Sequence, residues 1–240
     1  MPTRRKTIYK SLSGLPLLEN YLGMQARNIW LVDGMLQQME GALWDEYIRT
    51  EKTPFPDIMY VSALSEMWIF ALYELLRTWK QLVNEVITYH NQLEGIRNDP
   101  AFEEKKKRLL EANKDIQRST MSEDMEEHFY RRGFRQVELD RSYAAYLTTV
   151  LNKVEPIFRT VEELRITLAK HEIPKTFRRG KPAIRAVSPG YARIDTLKMT
   201  GALCWYIENK DGDFEIIRRA GIVESIQKLR IPAHKKTPAA

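Results

Sequence analysis

Cysteine is almost missing from this 240-residue chain. Cys204 stands alone, so no disulfide can close within the chain and no cluster of thiolates can hold a metal. A reducing, cytoplasmic compartment fits that usage. Histidine is nearly as scarce, at four: His90, His128, His171 and His234. The chain has no H-E-x-x-H, no zinc spacing of Cys and His, no glycine-rich phosphate loop and no G-x-S-x-G. No metal and no cofactor is therefore expected. A repeat of solenoid period is missing too. The apolar run Trp68–Leu76 is interrupted by Glu74 and flanked by charge, so no membrane span is expected. The basic start MPTRRKTIYKSL precedes no long apolar region and does not read as a secretory signal.

What is present is ordinary for a globular chain: 43% hydrophobic and 29% charged residues. The formal net charge of +6 permits a polyanionic partner without requiring one. The organising stretch is Pro56 to His90, which has no internal Pro or Gly. Trp68, Ile69, Phe70, Leu72, Leu75, Leu76, Trp79, Leu82, Val83 and Val86 recur at three- and four-residue intervals, the period of a helix with a wide apolar face. Apolar residues crowd nearly all round at 67–72, which predicts that other helices bury the middle of this one. Glu66, Tyr73 and Arg77 fall on one face, and Glu74 sits three before Arg77. A carboxylate and a guanidinium in an apolar segment must be paired or wet. The spacing predicts an internal Glu–Arg pair that fixes helix register; the functional alternative is that Glu66 or Glu74 holds a cationic residue from another helix.

The fold class expected is mostly α, an antiparallel helical bundle with a small C-terminal β-hairpin and helix. Residues 1–16 read as an irregular basic arm, and 17–173 as the bundle. The first bundle helix is expected from Leu17 to Arg49, and Thr53-Pro-Phe-Pro-Asp as the turn into the central one. Asp99-Pro100 predicts the start of a short exposed helix to about 117, whose Lys105–Arg108 run follows two acids and reads as a solvated, salt-bridged face. Ser122 is a candidate N-cap. Gly133 is a candidate kink, a helix continues from Arg135 to Val154, and Pro156 is expected to restart another up to Lys170. Residues 174–198 are a basic extended loop, free of acids before Asp195; they read equally as a solvated linker or as a phosphate-contact surface. Within 199–230, two β-prone runs flank Asp211-Gly212, predicting a hairpin, and a short helix follows at about 220–229. Residues 231–240 are expected as a disordered tail. Cys204 is expected as a small buried apolar residue, His90 as a cation at a helix end, and His128 and His234 as solvated.

His171 closes the segment Leu164-Arg165-Ile-Thr-Leu-Ala-Lys-His171, an Arg and a His separated by five residues at the end of a bundle helix. Here the chain resembles the HEPN superfamily of helical bundles, whose signature is an Arg, four to six residues, then a His. Many of its members are metal-independent ribonucleases of prokaryotic defence or stress systems, and others are non-catalytic. The resemblance implies Arg165 and His171 as catalytic residues, Glu66 or Glu74 as the carboxylate that orients them, and a homodimer. It implies RNA as a partner; Lys170 and, in the basic loop, Lys175, Arg178, Arg179, Lys181 and Arg185 are the candidate contacts by their charge. Metal-free cleavage of RNA needs a base near neutral pKa and a cation for the phosphorane, roles His171 and Arg165 could fill. On one ideal helix the two point about 120° apart, so a helix end or a dimer partner must bring them together. The plainer reading gives Arg165 a salt bridge to Glu162 and makes His171 a helix-end cation. Of a different class altogether is a non-catalytic helical scaffold or dimeric interaction protein.

Overall fold

A computed structural model describes residues 7–18, 20–117, 132–169, 193–196, 201–208 and 214–234. The fold is mostly α. Its helices are α1 (Ile8–Leu12), α2 (Asn20–Thr50), α3 (Phe55–Ile96), α4 (Phe102–Gln117), α5 (132–139), α6 (Ser142–Ala169) and α7 (Arg219–Lys228). Three short strands, β1 (Arg193–Ile194), β2 (Leu203–Glu208) and β3 (Phe214–Arg218), form an antiparallel sheet in the order β1-β2-β3.

Helix α3 is the spine. Its apolar face packs between α2 and α6, with Trp68, Ile69, Leu72, Leu75, Leu76, Trp79 and Val83 fully enclosed. Two indoles tie it to neighbouring backbone: Trp68 Nε1 donates to the Ile29 carbonyl at 2.9 Å and Trp79 Nε1 to that of Pro16 at 2.7 Å. A buried Trp needs such a partner, so both bonds fix the register of α3. The turn from α2 is made by Glu51 at φ 53°, whose N–H bonds the Tyr47 carbonyl, followed by Pro54. The expectation of burial all round at 67–72 fails at Met67, which is 66% exposed. By length and composition α3 would suffice to cross a membrane, contrary to the reading of its interrupted run; its buried face is occupied by α2 and α6.

Several local expectations are corrected. The arm contains α1, N-capped by Thr7, and Ile8, Leu12 and Leu15 enter the core. The helix expected from Ser122 lies outside the described residues up to 131, and with it the expected kink at Gly133; the glycine lets α5 approach α3, where an added Cβ would lie 2.8 Å from Val86 Cγ2. The break comes at Asp140, whose Oδ1 accepts the backbone N–H of Ser142 at 2.9 Å and caps α6. Pro156 restarts nothing: α6 runs through it, forgoing one N–H donor. The Lys–Arg run of α4 is paired as expected, Lys105 to Asp99 and Arg108 to Glu104, while Lys106 reaches Glu138 at 2.9 Å. The hairpin is β2–β3, with Cys204 opposite Arg218 and Glu208 opposite Phe214. Strand β1, inside the expected loop, pairs Arg193 with Cys204. Cys204 is buried, and burial pushes its thiol above the ordinary value. Ser122, His128 and the turn at Asp211-Gly212 lie outside the described residues.

Candidate functional site

Helix α6 runs antiparallel along one edge of α3, and that edge holds a ladder of cations and rings. Lys80 Nζ bonds Glu155 at 2.7 Å and lies 4.3 Å from the Phe158 ring centre. Phe158 stacks on Tyr73 with centroids 5.7 Å apart. The guanidinium of Arg165 lies over the other end of the ladder, 5.0 Å from the Tyr73 ring. A guanidinium on an aromatic face gains on the order of 0.5–2 kcal/mol and is oriented by the ring plane. Glu155 also takes Arg159 at 3.1 Å, and its carboxyl is held below the usual range by Lys80 first and then Arg159, with burial opposing.

The residues singled out in the sequence fall differently on this edge. Glu66 is two helical turns from Tyr73 on the same side of α3, toward the end where α6 stops, and accepts the Ser62 hydroxyl at 3.2 Å. Arg165 and Glu66 thus share one edge. Glu74 does not join them: it pairs with Arg77 at 2.7 Å on the surface, both about half exposed, so the predicted Glu–Arg pair forms outside rather than within. Such a pair contributes little to stability. His171, with Lys170, Lys175, Arg178, Arg179, Lys181 and Arg185, lies outside the described residues.

The charges that are truly buried were not foreseen. Arg219, at the start of α7, is 0% exposed, and Asp33 and Glu40 on α2 are 3% and 5% exposed. Arg219 Nε donates to Glu40 Oε1 at 3.1 Å and Nη2 to Oε2 at 2.6 Å, a two-pronged contact; Nη1 donates to Asp33. Glu40 Oε1 also accepts the Leu203 backbone N–H at 3.3 Å, and Asp33 accepts Gln37 Nε2 at 2.9 Å. Gly201 sits so close to α2 that an added Cβ would fall 1.6 Å from the Glu40 carbonyl oxygen. The cluster therefore seats the sheet and α7 on α2. Two carboxylates face one guanidinium, and burial pushes the Asp33 carboxyl above its ordinary value against the pull of Arg219. The signal was in the sequence: Asp33 and Glu40 are seven apart and interleave with Ile29, Leu36 and Leu43 on the apolar stripe of α2.

His234, expected to be solvated, is held. Its Nε2 lies 2.9 Å from Asp140 Oδ2, and its ring packs between Tyr143 and Tyr146 at 5.1 and 4.9 Å. Residues 231–234 of the expected tail are thereby pinned to the start of α6. His90 is six residues inside α3 rather than at its end, with Nδ1 buried and unbonded. Among the described residues no group of three or more His, Cys, Asp or Glu is placed to hold a metal. A groove of about 370 Å³ runs between Pro156 and Ile157 of α6 and Ile216 and Ile222 of β3 and α7; its cation, Arg218, is already engaged by Asp195.

Among the described residues, exposed apolar side chains gather on α2 and α3. On α3, Tyr60, Met67 and the neighbouring Met59 point outward, Tyr60 being 61% exposed. On α2, Met24, Leu31 and Met35 line the side turned away from the core, at spacings of seven and four. Between Asn28 and Leu43 the charged residues of α2 are Asp33 and Glu40, both turned inward; between Ile58 and Tyr73 the one charged residue of α3 is Glu66, on the α6 edge. From Leu31 to Met35 on α2 and from Met59 to Ala71 on α3 the outward side is thus methionine-rich and without charge, while exposed Arg27 stands between Met24 and Leu31.

No protein-family model, no curated protein and no solved structure matches this chain.

Proposed function

We propose that this chain is a helical interaction protein that works through the outer face of the α2–α3 hairpin. What supports the reading is the charge-free stretch of exposed Met, Leu and Tyr side chains that spans both helices. Isolated exposed apolar residues are commonplace, whereas a contiguous patch on two adjacent helices is a feature of surfaces that are covered in use. Methionine suits such a surface, because its unbranched, polarizable chain adapts to a partner's shape. The test places a charge there. Met35→Glu and Met67→Glu should abolish association of the full-length protein with itself or with a partner, while the variants keep the wild-type helix content and a cooperative unfolding transition, less only the stability that association itself contributes. An equal substitution at exposed Gln81, on a polar part of α3, should leave association intact. Association unaffected by either methionine change would sink the reading.

A second reading has its own observation. Arg165 and Glu66 share the α3–α6 edge, near the point where the chain continues into Lys170, His171 and the basic run to Arg185. A HEPN-like RNA-binding or RNA-cleaving activity would be located there. Cleavage of RNA in EDTA, lost on His171→Ala and on Arg165→Ala, supports it. Salt-sensitive binding without cleavage reduces it to an RNA surface.

A further inference from the structure

Resting on the interaction reading, we propose that the occupant of the α2–α3 face is a second copy of this chain, with the two α3 helices antiparallel about a two-fold axis at Met67. A surface whose centre carries no charge is electrostatically compatible with itself, and a two-fold interface requires one patch to complement itself. The α3 sequence has the symmetry this needs. Four residues to either side of Met67 stand exposed Ala63 and Ala71, so each alanine meets the other's counterpart and the helices can approach closely. Seven residues to either side stand Tyr60 and Glu74, so the exposed phenol of one copy meets the exposed carboxylate of the other. A parallel pairing would instead set Glu74 against Glu74, and like charges in contact are repelled.

Helix α2 fits the same axis. The bond from Trp68 Nε1 to the Ile29 carbonyl sets the register of the antiparallel pair and puts the level of Met67 near Trp30 and Leu31 of α2. An axis through Met67 and across the hairpin therefore also brings exposed Leu31 near its own copy. The charge-free face is about 24 Å long and two helix diameters, about 20 Å, wide. Covering it from both sides removes on the order of 1,000 Å² in total, the threshold of a specific interface.

The full chain tests this by its mass in solution and by placed cysteines. Cys204 is buried, so it leaves little background for a thiol crosslinker. Sedimentation should give twice the 28.2 kDa chain mass, and Met67→Glu should return a monomer. With a short bismaleimide, Met67→Cys should link copies to each other. Ala63→Cys alone should not link, whereas Ala63→Cys mixed with Ala71→Cys should. A wild type that stays monomeric overturns the proposal, as does a dimer indifferent to Met67→Glu, or self-linking by Ala63→Cys alone. A monomer that holds a different protein, or phosphatidylcholine vesicles, in a manner lost on Met67→Glu overturns the second copy and leaves the interaction reading standing. A monomer that holds neither sinks both.

Discussion

The side of α2 that faces the sheet and the side that faces away from the core carry opposite chemistry. Inward stand Asp33 and Glu40, almost fully enclosed, interleaved with Ile29, Leu36 and Leu43. Outward stand Met24, Leu31 and Met35, all exposed. An ordinary amphipathic helix places these groups the other way round on at least part of its surface. What the difference teaches is that burial follows the partner. The two carboxylates are tolerated inside because Arg219 and the Leu203 N–H supply donors, and because Gly201 lets the backbones meet. The outer methionines forgo roughly 1.5–3 kcal/mol each of possible burial. That is stabilisation left for association, whereas the inner charges spend theirs on fixing where the sheet and α7 sit.

The sharpest way to break the inner side is to remove its cation. Arg219→Met leaves two buried carboxylates facing each other with one backbone donor and one amide between them. Loss of one partner from a buried ionic cluster costs about 3–5 kcal/mol. Urea unfolding at neutral pH should show a loss of that size, and acidification should recover part of it as the carboxylates take up protons. Arg219→Lys, which keeps the charge but not the fork, should fall between Arg219→Met and wild type. A loss under about 1 kcal/mol would mean that the sheet and α7 are held elsewhere.

A second junction, between the C-terminal residues and α6, should be weaker. Asp140 caps α6 and anchors His234, and Asp140→Ala removes both, at about 1–3 kcal/mol. The Asp140 carboxyl is held below its ordinary value, chiefly by the Ser142 hydroxyl and also by His234. Its contribution is therefore complete above pH 3.8, the unfolded value, and lost as pH falls through the lower folded value. His234→Ala should cost less than Asp140→Ala because the cap survives it. Amide exchange at 231–234 should speed up in both variants; protection unchanged in either would separate the tail from this contact.

These contrasts also mark what the sequence could and could not carry. Helices α2 and α3 and the β2–β3 hairpin were legible because their periods of 3.6 and 2 are local properties. Pro156 misled, since its position inside an already packed helix costs one bond that tertiary contacts outweigh. Strand β1 is two residues long and exists only through its pairing with β2. His234 and His90 were misplaced because their partners, or lack of them, come from chain distant in sequence. The α3–α6 edge was half legible: the spacing put Glu66 and Tyr73 together, and the structure adds Arg165, while Glu74 turned to Arg77. Two charges on the apolar stripe of α2 announced a buried partner, but not that it would be Arg219 at the far end of the chain.

The smallest expected effect tests whether the inner cluster holds one carboxylate too many. Burial raises the Asp33 carboxyl above 3.8, and Glu40 adds to the rise, so the folded state holds that proton more tightly than the unfolded chain does. For an acid shifted upward, ionisation costs stability: the cost is nil below pH 3.8 and grows as pH rises to the folded value. Asp33→Asn keeps an oxygen for Arg219 and deletes the surplus charge, leaving one guanidinium against Glu40. Gln37, exposed at the other side, can turn its amide to accept from the new side-chain N–H. Stability at pH 7 should therefore change by no more than about 1 kcal/mol, and toward gain rather than loss. The decisive readout is the slope: between pH 4 and pH 7 the variant should lose less stability than wild type. Parallel curves would show that Asp33 is ionised at little cost, and that Arg219 alone balances both carboxylates.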